Sequence, residues 1–340
     1  VGSHLDSVPQ GGNFDGAAGV ISGLTAIRAL QQLGYHPKHD IRVMGVRAEE
    51  SCWFGTSYIG SRSALGTLPD SALDTATRAD NGRSLADHMA ECGGDPDMLR
   101  DTAPYLDRTR IGAFLEPHIE QGPVLVEKGF PVGVVTGIRG NRRFPNAHCI
   151  GEYAHCGGAP RRVRQDAVVA ATEFVQAMDA EWDRAENSGQ DFACTIGMFQ
   201  TDTERHAMTV ISGNVKFSLD FRSVDPAYLL KMEARVPAIA AEIGAKRGVK
   251  FELGAMTRAA PGFMDQGLVE TYRKAAAGMN VRAMDIPSGA SHDSAAFADA
   301  GVPTAMLFIR NEHGSHNPDE AMEISDFIDA TKLLAAGLTA

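Results

Sequence analysis

The chain has 340 residues, 32 basic against 43 acidic side chains and a formal net charge of −11. Its basic clusters, Arg139 with Arg142 and Arg143, and Arg161 with Arg162 and Arg164, lack interleaved aromatics, which argues against nucleic acid as a partner. No apolar run reaches the ~18 residues of a membrane span and no signal segment opens the sequence, so the expected setting is cytoplasmic, without a membrane partner. Five cysteines without a C-x-x-C pair exclude a zinc ribbon and a dense disulfide framework. The length predicts one large core and a second, smaller module.

In chain order, the first segment, Val1-Gly-Ser-His-Leu-Asp-Ser-Val8, reads as a buried strand that already carries polar chemistry, with nothing before it to pair or cap it, and points to a missing N-terminal part. A helix follows from Asp15 to Gly34, its apolar positions Val20, Ile21, Leu24, Ile27 and Leu30 keeping the helical period. Ile41 to Val46 reads as a strand ending at Glu49 and Glu50, at the carboxyl end where open α/β sheets place ligands. Residues 56–110 read as short helices and loops, and Pro131 to Thr136 as a strand.

From about 138 to 253 the pattern changes to strand (143–154), helix (166–182), strands (192–199 and 209–221), helix (226–243) and strand (249–253). This βαββαβ order is that of a ferredoxin-like insert. Two helices would cover one face of its sheet and leave an edge that a second copy extends, so residues 138–253 are expected to form a homodimer contact and a lid. Residues 1–137 and 254–340 then form the α/β catalytic domain, the second part running helix, strand (304–309) and terminal helix (324–338).

His4 and Asp6 are two apart on a strand and share a face, a geometry suited to a histidine ligand with a carboxylate behind it. Asp15 sits in the glycine-rich turn Gly11-Gly-Asn-Phe-Asp-Gly16; its plainer reading is a helix N-cap. Glu49 and Glu50 cannot point the same way from an extended backbone, so one can bind metal while the other handles protons; the plainer reading is a solvated strand end. His118 lies in Glu116-Pro-His-Ile-Glu-Gln-Gly-Pro123 and His316 in Glu312-His-Gly-Ser-His-Asn-Pro-Asp-Glu320.

Taken with Gly60-Ser-Arg62, Gly151-Glu-Tyr-Ala-His155, Asp220-Phe-Arg222 and Ser288-Gly-Ala-Ser-His-Asp293, these stretches make the chain resemble the hydantoinase/carbamoylase amidases. That group includes N-carbamoyl-amino-acid hydrolases, ureidopropionases and allantoate amidohydrolases, within the dinuclear zinc aminoacylase–carboxypeptidase superfamily. The resemblance implies a mixed-sheet dinuclear metallohydrolase domain carrying the insert, and two divalent ions, zinc or else manganese, cobalt or nickel. It implies His4, Asp15, Glu50, His118 and His316 as ligands, Asp15 bridging, with Asp6 behind His4. A metal-bridging water would give its proton to Glu49 as general base, with His155 stabilising the oxyanion. Gln121, Thr209, Arg222, Gly289 and Ala290 would contact a small substrate, Arg222 gripping a carboxylate.

Three departures from the family pattern bear on the pocket: Thr209 for a usual asparagine, Trp53 for a small or basic residue, and Cys156-Gly-Gly-Ala-Pro160. The alternatives to a ureido-substrate hydrolase are an aminoacylase or exopeptidase of the superfamily, and a non-catalytic binding relative.

Overall fold

A computed structural model describes residues 1–101 and 104–340, Asp101 by its backbone alone. The elements run β1 (Gly2–His4), α1 (Ala17–Gln32), β2 (Met44–Val46), α2 (Ile59–Ala64), α3 (Asp70–Thr75), α4 (Leu85–Glu91), α5 (Asp97–Asp101), β3 (Phe114–Ile119), α6 (Val124–Lys128) and β4 (Val132–Ile138). There follow β5 (Gly140–Ile150), β6 (Ala154–His155), α7 (Ala167–Asn187), β7 (Ala193–Thr195), β8 (Phe199–Thr201), β9 (Val210–Ile211), β10 (Asn214–Ser223), α8 (Pro226–Arg247), β11 (Lys250–Glu252) and β12 (Thr257–Ala259). The chain closes with β13 (Gly262–Phe263), α9 (Gln266–Gly278), β14 (Ala283–Ser288), α10 (Asp293–Asp299), β15 (Thr304–Ile309) and α11 (Ile324–Gly337). The fold is mixed α/β with several sheets, and among the described residues no helix is long and apolar enough to cross a membrane.

The chain divides into two compact units, 1–138 with 262–340, and 139–261. In the first, β13-β4-β15-β3 form a mixed sheet with β14 also on β4, and β1 pairs β2 in parallel. All six residues of β3 and of β15 are buried. These are strands covered on both faces, which is why Phe114-Leu-Glu-Pro-His-Ile119 shows no polar alternation. Glu116 and His118 share one face of β3, two residues apart.

Helix α1 forms over the expected span, and of its periodic apolar positions Val20 and Leu30 are buried while two others are not. Ile21 and Leu24 are 51% and 52% exposed, while Ala18, Gly19, Ser22, Gly23 and Ala26 are buried. The small face lets the helix approach β1 and β3 closely: a Cβ on Gly19 would lie 2.0 Å from the Pro117 carbonyl oxygen and 2.7 Å from Ser3 Cβ. That approach brings Asp15, at the helix start, to His4 and His118.

In the second unit the sheet order is β11-β5-β10-β7, with β8 also on β10 and β12 also on β5. Helices α7 and α8 share with it a core including Phe174, Phe217, Phe221, Leu229 and Val236. The unit extends past 253 to Pro261 because β12 pairs with Asn141 to Arg143 of β5. The single strand expected over 143–154 is interrupted after Ile150, and the one over 41–46 is reduced to three residues by the length of its partner β1.

Candidate metal centre

Six polar side chains of the first unit converge. His4, Asp15 and His118 each bring one ligand atom within 4.8 Å of the others, as do Asp15, Glu50 and His316, and also His4, Glu49 and Glu50. Asp15 belongs to two of these groups. The residues come from the end of β1, the turn before α1, the chain after β2, β3 and the loop after β15. Asp15 is not the cap of α1; Gly16 takes that position, with φ 65° and no side-chain cap, so the Asp15 carboxylate is left for the cluster.

The hydrogen bonds fix which ring nitrogens bear protons. His4 Nδ1 is 2.9 Å from the Asp6 carbonyl oxygen and His118 Nδ1 is 2.8 Å from that of Ile119. A carbonyl only accepts, so both Nδ1 atoms carry the hydrogen, and in the neutral rings both Nε2 atoms present lone pairs. The Gly16 amide agrees, donating to His118 Nε2 at 3.3 Å. The two Nε2 atoms lie 3.4 Å apart, 3.2 and 3.1 Å from Asp15 Oδ1, an oxygen that is buried and makes no hydrogen bond. Three electron-rich atoms aimed at one point repel unless a cation lies between them, and this mix of imidazole and carboxylate without thiolate is a divalent-metal donor set. The residues present fit the metal that the family resemblance implies.

Asp15 Oδ2 faces the second group. It accepts from Gln121 Nε2 at 2.9 Å and Ser315 Oγ at 2.7 Å, and lies 3.4 Å from His316 Nε2, which is 3.3 Å from Glu50 Oε1. The field of these carboxylates calls for positive charge. Burial opposes a charge on His4, yet Asp15, Glu49 and Asp6 raise its pKa to about 10; Asp15 and Glu50 raise His316 to about 10. Asp15 is held far below the usual carboxylate range by His118, His316 and His4, against its own burial. Glu49 goes the other way: burial, with Asp293, Glu50 and Glu116 added, pushes it well up, and His4 alone among the main influences resists.

Other expected residues stand differently. The Asp6 carboxylate does not bond His4, being 3.8 Å from Nδ1; it accepts the Glu49 and Glu50 amides at 3.0 and 3.1 Å. The side-chain nitrogen of Gln121 is committed to Asp15, leaving Oε1 buried without a partner. Gly289 and Ala290 lie in the loop after β14, where Ala290 O accepts from Ser288 Oγ at 2.6 Å. Trp53 Nε1 donates to Ser7 O at 3.2 Å with Arg78 4.7 Å over its ring.

In the second unit, His155 and Thr209 come together where β6 pairs β9, the Cys156 amide donating to Thr209 O. The Gly157 and Gly158 amides donate to His155 Nδ1, each at 3.2 Å, so Nε2 carries the proton. Arg222, on β10, pairs with Asp220 at 2.9 Å.

Several supporting residues escape sequence reasoning. Glu116 accepts from Ser3 Oγ, Ser294 N and Ser294 Oγ at 2.6–2.8 Å. Buried His292 lies with its ring centroid 4.3 Å from that of His118 at a tilt of 55°, and Glu320 accepts the Phe14 and Asp15 amides. Glu116 alone carried a signal, a charge inside a buried strand whose other polar residue is His118.

The family model described as peptidase family M20/M25/M40 matches residues 1–340. The N-carbamoyl-L-amino acid amidohydrolase of Geobacillus stearothermophilus is 34% identical over 321 residues, covering 94% of this chain and 76% of the relative. The allantoate amidohydrolase of Escherichia coli (strain K12) is 32% identical over 340 residues, covering 98% and 79%. Among solved structures, a hydantoinase/carbamoylase family amidase from Burkholderia ambifaria superposes with a TM-score of 0.85 at 32% identity, covering 99% of this chain and 78% of the other. The chain belongs to peptidase family M20/M25/M40 and, within it, to the hydantoinase/carbamoylase amidases.

Proposed function

We propose that this chain hydrolyses a C–N amide bond in a small N-carbamoyl (ureido) amino acid or allantoate-like substrate. The observation that carries the reading is the convergence of two lone-pair Nε2 atoms on the unbonded oxygen of Asp15, beside a second donor group that shares Asp15. The named activities of the relatives, on carbamoyl amino acids and allantoate, support the bond type.

His4, Asp15, Glu50, His118 and His316 are the residues that would hold two divalent cations, zinc first, with manganese, cobalt and nickel compatible with the same donors. When bound, such cations polarise a carbonyl and acidify water. Glu49 is the proton carrier in this reading. Its carboxylate is buried and, among the described residues, accepts no hydrogen bond, and its raised pKa brings it toward the range where a group both takes and returns a proton. It accepts a proton from the attacking water as the water oxygen bonds to the carbonyl carbon. It returns that proton to the nitrogen as the C–N bond breaks. His155, with its hydrogen on Nε2, is the donor suited to the developing oxyanion. Arg222 is assigned a substrate carboxylate, with Gln121, Thr209, Gly289 and Ala290 lining the substrate.

We also infer that the 139–261 unit is a ferredoxin-like lid and carries a homodimer contact. Among the described residues no strand pairs the outer side of β8, and Phe199 at its start and Met198 just before it are 42% and 52% exposed, an apolar edge of the kind a second copy covers.

The test is a panel of N-carbamoyl-α-amino acids, N-carbamoyl-β-alanine, allantoate, N-acetyl amino acids and dipeptides, assayed with zinc, manganese, cobalt and nickel in turn. Ammonia release from the ureido substrates is expected; turnover confined to dipeptides or N-acetyl amino acids would replace the reading with an exopeptidase or aminoacylase.

A further inference from the structure

Strand periodicity predicts the Asp6 carboxylate behind His4, yet that place is taken by a backbone carbonyl, Asp6 O at 2.9 Å from His4 Nδ1. The carboxylate turns instead to two consecutive amides, Oδ1 accepting from Glu49 N at 3.0 Å and Oδ2 from Glu50 N at 3.1 Å. One anion gripping two successive N–H groups fixes the orientation of the peptide between them.

The same segment is held from its other edge. The carbonyls of Arg47, Ala48 and Glu49 accept from Gly60, Ile59 and Tyr58 at 3.1, 2.9 and 2.9 Å. Between the two grips Ala48 sits at φ 55°, a left-handed conformation that is strained for a non-glycine residue and persists only where its surroundings enforce it. Trp53 Nε1, bonded to Ser7 O, ties the same two stretches of chain a second time. In an extended backbone adjacent side chains point to opposite faces. With the chain turned at Ala48 and anchored at both following amides, Glu49 and Glu50 both reach the group that contains His4, and Glu50 alone also reaches Asp15 and His316.

We propose that Asp6 is a positioning residue for the Glu49–Glu50 turn: its carboxylate separates the proton carrier from the cation ligand, and it does not act by orienting His4. The division of labour between the two glutamates is that of the function proposed above, on which this inference rests.

Asp6→Asn in the intact chain, saturated with metal, removes the charge and turns an NH2 toward one of the amides. Turnover is expected to fall about a hundredfold, as for a catalytic group displaced by ~1 Å, with KM within about twofold. The Glu49 and Glu50 amide proton resonances should move upfield while His4 keeps its hydrogen on Nδ1 by nitrogen-15 NMR. Unmoved amides with an altered His4 tautomer would overturn the proposal. The unsubstituted protein provides a check independent of the variant's folding: both amides should lie downfield and exchange slowly, and exchange at the rate of an open loop would equally overturn it. A wild-type protein inactive on every ureido and N-acyl substrate would sink the functional reading alone, since the amide resonances still decide the role of Asp6.

Discussion

His4 Nε2 and His118 Nε2 stand 3.4 Å apart while the other nitrogen of each ring is bonded to a backbone carbonyl, so the neutral rings turn two unprotonated nitrogens toward each other in the interior of the first unit. Such a contact is unfavourable without a cation, and the oxygen placed against both, Asp15 Oδ1, has no hydrogen bond of its own to relieve it. The fold holds these atoms together by rigid means, a buried β3 and a helix packed through its glycines.

The first prediction separates the adjacent glutamates. Glu49→Gln should bind as much metal as the unsubstituted chain and lose turnover about 10²–10⁴-fold, the scale of a lost general acid–base. Glu50→Gln should lose metal. Metal analysis and steady-state rates on the same samples check both, and equal metal loss in the two variants would show that the division is wrong.

The second prediction concerns Asp293, a fully buried residue whose Oδ1 accepts from Ser61 Oγ at 2.6 Å and whose Oδ2 has no partner. Burial and the nearby Glu116 raise its pKa to about 7, against the Ser61 hydrogen bond and His4. The folded chain thus holds this proton more tightly than the unfolded chain, where the pKa is 3.8. The contribution to stability is complete below that value and declines as pH rises to about 7. Asp293→Asn, which resembles the protonated acid, should abolish that decline and be the more stable protein at pH 8. Denaturant titrations at pH 5 and pH 8 measure it; a variant less stable than the parent at pH 8 would contradict the assignment.

The third prediction tests the close approach of α1. Gly19→Ala should destabilise the first unit by about 1–3 kcal/mol, since its Cβ meets the Pro117 carbonyl and Ser3. A Cβ on Gly23 would lie 3.4 Å from the Val1 methyls and 3.5 Å from Val43, ordinary contacts with side-chain ends, so Gly23→Ala should be neutral or stabilising by up to about 1 kcal/mol. Thermal unfolding of the two variants side by side provides the comparison.

The polar cluster was legible through the family resemblance, which is carried by short motifs such as His118-Ile-Glu-Gln-Gly-Pro123. Residue partners were harder to read. Two-residue spacing correctly puts Asp6 near His4, but periodicity carries no information on which hydrogen bond a carboxylate forms, and a backbone carbonyl claimed the His4 ring. On α1 the periodic positions Val20 and Leu30 are buried, but Ile21 and Leu24 are not, because the site requires close backbone approach, which only the small residues beside them permit. Strand β14, Ala283-Met-Asp-Ile-Pro-Ser288, has neither alternation nor an unbroken apolar run, and is a strand because β4 pairs it. The role of Glu320 depends on a fold contact with residues more than 300 positions away, which no local pattern encodes.

The central claim is a two-cation centre that turns on Asp15, the residue common to the His4–His118 and Glu50–His316 groups. The most direct test is metal stoichiometry by elemental analysis after saturation and removal of free ion. Two equivalents per chain are expected for the unsubstituted protein, about one for His316→Ala and close to none for Asp15→Asn, with each variant shown to be folded by circular dichroism. A folded Asp15→Asn that still retains two equivalents would contradict the account.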